Sequence, residues 1–155
     1  MGVHLYTNGA WTDSGKIYRN SLNIFDKSQT PYSTTGFIAR EGTLTEYAAW
    51  CVSDYVEVLS NTEYTLSGMN INAIYPAICF YTDNKIYISG IRYNQQSTLT
   101  FTTPENCKYV LISYLTAKLD TVMLNAGSIA LPYEPYNIVD WYTNNGHGYT
   151  SGAWS

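Results

Sequence analysis

The chain has 155 residues, of which 13% are charged, and a formal net charge of −4. That length suffices for one domain with a real core, and the sparse, slightly acidic charge excludes the basic surface that nucleic acid or an anionic membrane requires. The 16 tyrosines, with abundant Thr, Ser and Asn, suit pleated, half-buried surfaces and point to β structure. No apolar run approaches the roughly 20 residues that span a bilayer. The opening "MGVHLYTNGAW" lacks the basic start and apolar stretch of a secretory signal. Synthesis in a cytoplasm without a signal peptide is therefore expected.

Taken in chain order, the first element is "YTNGAW", Tyr6 to Trp11. Asn8–Gly9 between strand-like residues is a strong hairpin signal, because both central turn positions need positive φ. Alternating apolar and polar residues, punctuated by Gly, Asn, Asp and Pro, then predict strands near Ser21–Phe25, Gly36–Ala39, Ala49–Leu59 and Glu63–Ser67. The series continues at Ala73–Tyr81, Lys85–Gly90, Thr98–Thr102, Tyr109–Leu115 and Thr121–Leu124. Within "DYVEVL", Val56 and Val58 share one face and Tyr55 and Glu57 the other. In "YVLISYL", Val110, Ile112 and Tyr114 oppose Tyr109, Leu111, Ser113 and Leu115. "AIYPAICFY" is apolar on both faces, which predicts a central strand covered on both sides or facing a groove. "YTDNK" at Tyr81–Lys85 and "TTPENCK" at Thr102–Lys108 read as turns, the first joining two antiparallel strands. "LPYEPY" at Leu131–Tyr136 has two prolines and reads as an extended exit from the domain.

The chain closes with "YTSGAW", Tyr149 to Trp154, which repeats the first phrase with Ser151 in place of Asn8. "WYTNNG" at Trp141 to Gly146 is a looser echo. A lone hairpin is marginal in water, so these arms need something to lean on. That support is their own domain, the other terminus or another subunit, and two near-identical arms suit equivalent docking surfaces or pairing with one another. Tyr6, Trp11, Trp141, Tyr149 and Trp154 are the docking candidates, and a homo-oligomer or attachment to another protein is expected. The expected organisation is an arm over residues 1–20, a β-sandwich over 21–136 and a second arm over 137–155.

Cys51, Cys79 and Cys107 lie in apolar, strand-like stretches without CxxC spacing. They read as buried free thiols in preference to a disulfide or a metal site. Asp54 and Glu57 are three apart on a predicted strand and point to opposite faces. His4 and His147 sit in the terminal segments. No phosphate loop, dinucleotide fingerprint or catalytic triad is present, so an enzyme is not expected.

Sugar recognition calls for flat aromatic faces and planar polar groups. Trp50, Tyr75 and Tyr93, with Asp54, Arg92 and Asn94, are the primary candidates. Tyr81, Tyr87, Tyr114, Asp83 and Gln95 are further ones. Replacing Trp50 or Tyr93 by Ala is expected to weaken binding without unfolding the protein. Each Tyr has the plain alternative of a place in the core or in a cross-strand pair.

From Leu22 to Tyr136 the strings "NIFDKS", "WCVSDYVEVLSNTEYTLSG", "AICFYTDNKIYISG", "FTTPENCKYVLISY" and "MLNAGSIALPYEPY" follow one another. In this order they resemble the carbohydrate-binding-like β-sandwich modules of bacteriophage tail, baseplate and receptor-binding proteins, from phages of Gram-positive hosts. The resemblance implies an all-β, galactose-binding-like jelly roll in a virion, among other virion proteins. It implies no resident cofactor beyond a structural calcium, for which no acidic loop here has ligand spacing. Two roles stay open: contact with host cell-wall saccharide, and structural decoration or assembly of a capsid or tail.

Overall fold

The computed structural model describes residues 17–69, 73–136, 139–142, 149–150 and 153–154. In chain order the strands are β1 (Ile17–Asn20), β2 (Gly36–Ile38), β3 (Leu44–Glu46), β4 (Trp50–Val52), β5 (Val56–Glu57), β6 (Glu63–Ser67) and β7 (Ala77–Tyr81). They continue as β8 (Tyr87–Arg92), β9 (Leu99–Thr102), β10 (Tyr109–Leu115), β11 (Met123–Ala126), β12 (Val139–Tyr142), β13 (Tyr149–Thr150) and β14 (Ala153–Trp154). A 3-10 turn at Thr116–Lys118 is the sole helical element among the described residues, and no helix there is long and apolar enough to cross a membrane. The protein is all-β, as its composition predicts.

Two antiparallel sheets face one another. The larger has the order β4-β10-β7-β8, with β5 pairing β10 beside β4. The smaller has the order β11-β6-β9. Between them lies the main core, with Ile78, Phe80, Val110, Ile112 and Tyr114 from the larger sheet against Leu66, Leu99, Phe101 and Leu124 from the smaller. Each such burial contributes about 1.5–3 kcal/mol. The alternate residues Ala77, Cys79, Tyr81 and Leu111 pack on the outer face with Ile38 and Val52. β7 is thus buried on both faces, as its doubly apolar pattern requires. The turn at residues 82–85 joins β7 to β8, with Thr82 N donating to Ile86 O and Lys85 N to Thr82 O, both at 2.9 Å.

The expected strand at Ala49–Leu59 is broken into β4 and β5. Ser53 Oγ accepts from Ile112 N at 3.0 Å, and Asp54 Oδ1 accepts from Tyr55 N at 2.8 Å. These side-chain acceptors stand in for ladder carbonyls, so the backbone leaves the sheet there. The expected strand at Ala73–Tyr81 begins only at Ala77, since Pro76 has no N–H to give. Residues 44–46 form a strand, β3, that the pattern does not signal; it pairs with β2 from Gly36↔Glu46 to Ile38↔Leu44.

No strand forms at 21–25, because a side chain replaces the ladder. Asn23 is buried, and its Oδ1 accepts from Phe25 N and Leu124 N, both at 3.0 Å. Its Nδ2 donates to Val122 O at 3.0 Å and Glu134 O at 2.8 Å. Leu22 N and Ser21 Oγ donate to Glu134 Oε1. The string "MLNAGSIALPYEPY" therefore works as a closure. Asn125 folds it by donating to Ile129 O at 2.9 Å and accepting from Leu131 N at 3.3 Å, and Glu134 ties its end to the start of the sandwich.

Because both ends of the sandwich meet at this clamp, the flanking segments leave side by side. They pair antiparallel as β1 and β12, from Ile17↔Tyr142 to Asn20↔Val139. β13 and β14 pair as Tyr149↔Trp154 and Thr150↔Ala153, the strand pairing expected for "YTSGAW". Tyr6, Trp11 and the hairpin expected around Asn8–Gly9 lie outside the described residues, as do His4 and His147. Where the described arms meet one another, they do so through 17–20 and 139–142. Trp141 stands opposite Tyr18 in that ribbon.

All three cysteines are free and buried, as their apolar settings predict. Burial pushes the Cys79 thiol up to about 12, and its Sγ donates to Ala39 O at 3.1 Å. Burial likewise raises Tyr81, Tyr93 and Tyr114. Between the ordinary thiol value of 9.0 and about 12, the unfolded chain releases the Cys79 proton while the folded protein keeps it. The stability that this thiol contributes is therefore full below pH 9 and is lost as pH rises through that window. Urea midpoints measured from pH 7 to 11 are expected to fall steeply above pH 9, and Cys79→Ala to flatten the decline.

Candidate functional site

At the end of the sandwich where β10 finishes, six segments enclose a groove of about 550 Å³. The β2–β3 hairpin brings Phe37 and Thr45. The turn that follows carries Tyr47, which donates its N–H to Thr35 O at 2.8 Å and accepts from Trp50 N at 3.1 Å. Trp50 opens β4, opposite Leu115 in the ladder. Facing them are the segment before β7, with Tyr75 and Pro76, and the turn after β8, with Gln95.

An aromatic chain runs from the core to this surface. Trp50 meets Phe37 edge-on at 6.0 Å and 69°, and Phe37 meets Tyr47 at 6.3 Å and 50°. Trp50 is only 5% exposed, while Tyr47 is 58% exposed and Tyr75 61%. Phe37 and Trp50 therefore make a floor, and Tyr47 and Tyr75 make rims that can be lost without disturbing the core. On the Tyr75 side the Arg92 guanidinium lies 5.4 Å from the ring centroid and 3.7 Å from Glu41. It thus places an ion pair, Arg92 with Glu41, beside a mostly apolar groove.

The far wall is held in an uncommon backbone. Tyr93 N donates to Pro76 O and Gln95 N to Ala73 O, both at 2.9 Å, which continues the β7–β8 pairing past the strands. Asn94 and Gln95 both lie in the left-handed region, with φ of 53° and 61°. Asn tolerates that region; Gln, which is not among the residues that visit it routinely, adds strain of a kind that recurs at binding sites.

The sequence-predicted candidates divide. Trp50, Tyr75 and Gln95 line the groove, Arg92 adjoins it through Tyr75, and Asn94 is exposed on its turn. Tyr93 does not belong to it: the side chain is fully buried, with its hydroxyl donating to Ser113 O. Tyr81 and Tyr114 are buried core residues too, and Tyr114 packs edge-on to Phe25 at 5.5 Å. Tyr87 donates its hydroxyl to Arg40 O at 2.6 Å. Trp50→Ala and Tyr93→Ala would therefore open the core, at about 3–5 kcal/mol for the larger ring, contrary to the expectation that they spare the fold. Tyr47, the most accessible aromatic of the groove after Tyr75, is one the sequence does not single out. Its one signal is a second aromatic three residues before Trp50 in "YAAW".

Asp54 lies elsewhere, in a smaller cavity of about 170 Å³ shared with Asp26 and Glu57. The break between β4 and β5 is what lets Asp54 and Glu57 line one cavity, where a continuous strand would separate them. For Asp26, burial opposes ionisation, but hydrogen bonds from Ser28 and Gln29 outweigh it and hold the carboxyl below its ordinary range. Asp83 lines a third cavity, between the β7–β8 turn and the turn before β10. Among the described residues no group of three or more His, Cys, Asp or Glu is arranged to hold a metal ion. Compared with known proteins, the chain matches no family model, no curated protein and no solved structure.

Proposed function

We propose that this chain is a non-enzymatic bacteriophage virion protein, a galactose-binding-like jelly roll whose end groove contacts host cell-wall glycan. The observation that carries the reading is the groove itself, an apolar trough of about 550 Å³ between the exposed rings of Tyr47 and Tyr75. Its volume falls in the range usual for small-ligand sites. Sugar rings present C–H faces that stack on such aromatics, while Gln95, Thr45 and the two phenol hydroxyls offer partners for sugar hydroxyls. The pairing of a five-stranded with a three-stranded antiparallel sheet supports the jelly-roll assignment. Affinity at one groove is weak, and display of many copies on a particle multiplies it through effective concentration.

The second reading is assembly. Among the described residues the β1–β12 ribbon has two strands, and the edge of such a ribbon is a place that another chain can extend by strand addition. Other virion proteins, or further copies of this one, are the partners that reading supplies, with Trp11 and Trp154 as its anchors.

Titration of host wall polysaccharide into the protein separates the two. Tyr47→Ala and Tyr75→Ala are each expected to weaken binding about tenfold, with thermal midpoints nearly unchanged because both rings are exposed. Full binding by the double variant would remove the groove from the account. Absence of binding by the native protein to any wall fraction, with a self-association that the arms control, would favour assembly.

A further inference from the structure

The outer face of the larger sheet carries a second aromatic cluster, at the opposite end of β10 from the groove. Tyr109 begins that seven-residue strand and Leu115 ends it, a separation of about 20 Å. Tyr55 lies 5.8 Å from Tyr109 and 5.3 Å from Tyr81, edge-on in both cases. Tyr55 and Tyr109 are both partly exposed. Lys85 stands in the β7–β8 turn with φ of 62°. Its side chain folds back so that the ammonium sits 4.9 Å from the Tyr55 centroid and 5.8 Å from the Tyr109 centroid. One cation is thereby held within reach of two aromatic rings. Asp54 is close enough to Tyr55 to act on it electrostatically, and Lys108, a second cation near Tyr109, is paired with Glu57 at 3.0 Å.

We infer that Tyr55 and Tyr109 form a binding site for a quaternary ammonium group, which Lys85 fills in the free protein and vacates when the ligand enters. An aromatic ring attracts a cation over its face through its quadrupole, within about 6 Å of the centroid. The lysine ammonium is compact and strongly hydrated, whereas a methylated ammonium sheds its weaker hydration more readily and spreads its charge over more ring surface. Lys85 is exposed, and a contact of this kind at an exposed site is weak enough to exchange. As an internal competitor it lowers the ligand's apparent affinity by about two- to fivefold. The site is independent of the groove and of its proposed occupant.

The test uses the full chain, choline chloride as ligand, and its uncharged carbon isostere 3,3-dimethylbutan-1-ol, with binding followed by NMR shifts of the Tyr55 and Tyr109 ring protons. Choline is expected to shift both rings saturably. Lys85→Gly, which suits the left-handed turn, is expected to tighten binding about two- to fivefold, and Lys85→Gln serves the same comparison. Tyr55→Leu in the Lys85→Gly background is expected to weaken it at least about tenfold, and the isostere to leave the rings unshifted. Choline binding no tighter to both lysine variants than to the native chain would overturn the proposal. So would equal binding of the uncharged isostere, retained affinity in Tyr55→Leu, or no saturable shift in any form.

Discussion

Asn23→Ala is expected to lower the unfolding free energy by about 3–5 kcal/mol, the result of orphaning four backbone groups with one substitution. Phe25 N, Leu124 N, Val122 O and Glu134 O all bond to this amide. A buried backbone group left without a partner costs about 1–3 kcal/mol. The bond to Glu134 O is only partly buried, so water recovers some of that loss and the sum stays below four full penalties. No other residue type offers two donors and an acceptor at this length, since Asp has no donors and Gln places its amide one carbon too far. Urea denaturation of the native protein and the variant measures the effect. The same loss is expected in a chain trimmed to residues 21–136, because every partner lies within those limits. A cost below about 1 kcal/mol would mean that the ends of the sandwich are held by something other than Asn23.

Gly68→Ala is expected to be comparably damaging, at about 3–5 kcal/mol, for an unrelated reason. Gly68 has φ of +81°, and a Cβ there would stand 1.7 Å from Thr121 O and 2.7 Å from Thr121 C. Two backbones meet at this point, where β6 ends beside the start of β11, and Thr121 Oγ1 already donates to Gly68 O at 2.7 Å. Neither main chain can withdraw without breaking the ladder that begins at Ser67↔Met123. Gly127 separates the two contributions. Its φ is +97°, yet a Cβ would meet nothing within 4 Å. Gly127→Ala therefore carries backbone strain alone, about 1–2 kcal/mol. Thermal or urea unfolding of the pair checks the difference. Equal costs would show that the close approach at Gly68 relaxes freely.

What could be read from the sequence is what depends on neighbours along the chain. The burial of β7 on both faces follows from "AICFY", and the turn after it from Asp83 and Asn84. The pairing of β13 with β14 follows from a Ser-Gly pair between strand-like residues. What could not be read depends on side chains that bond to distant backbone, or on elements brought together from far apart. Asn23 looks like an ordinary strand residue until its amide is seen spanning to Val122 and Glu134. Ser53 breaks a strand by accepting from Ile112, across 59 residues. Tyr93, in a polar stretch that reads as a loop, is turned inward by the bond between its own N–H and Pro76 O. The candidate site shows the same division. Trp50 and Tyr75 were identifiable as candidates only by being aromatic. That one is floor and the other rim depends on the β2–β3 hairpin, which brings Tyr47 and Phe37 alongside.

The proposed glycan site is tested most directly by amide and indole NMR shifts of the isotope-labelled protein, titrated with soluble fragments of host wall polysaccharide. The account predicts saturable shifts clustered on Thr45, Tyr47, Tyr75 and Gln95 and on the Trp50 indole, the groups that meet at the groove. The rings of Tyr55 and Tyr109, at the other end of β10, are expected to stay in place. Shifts confined to that opposite end or to the β1–β12 ribbon, or no shifts with any fragment, would contradict it.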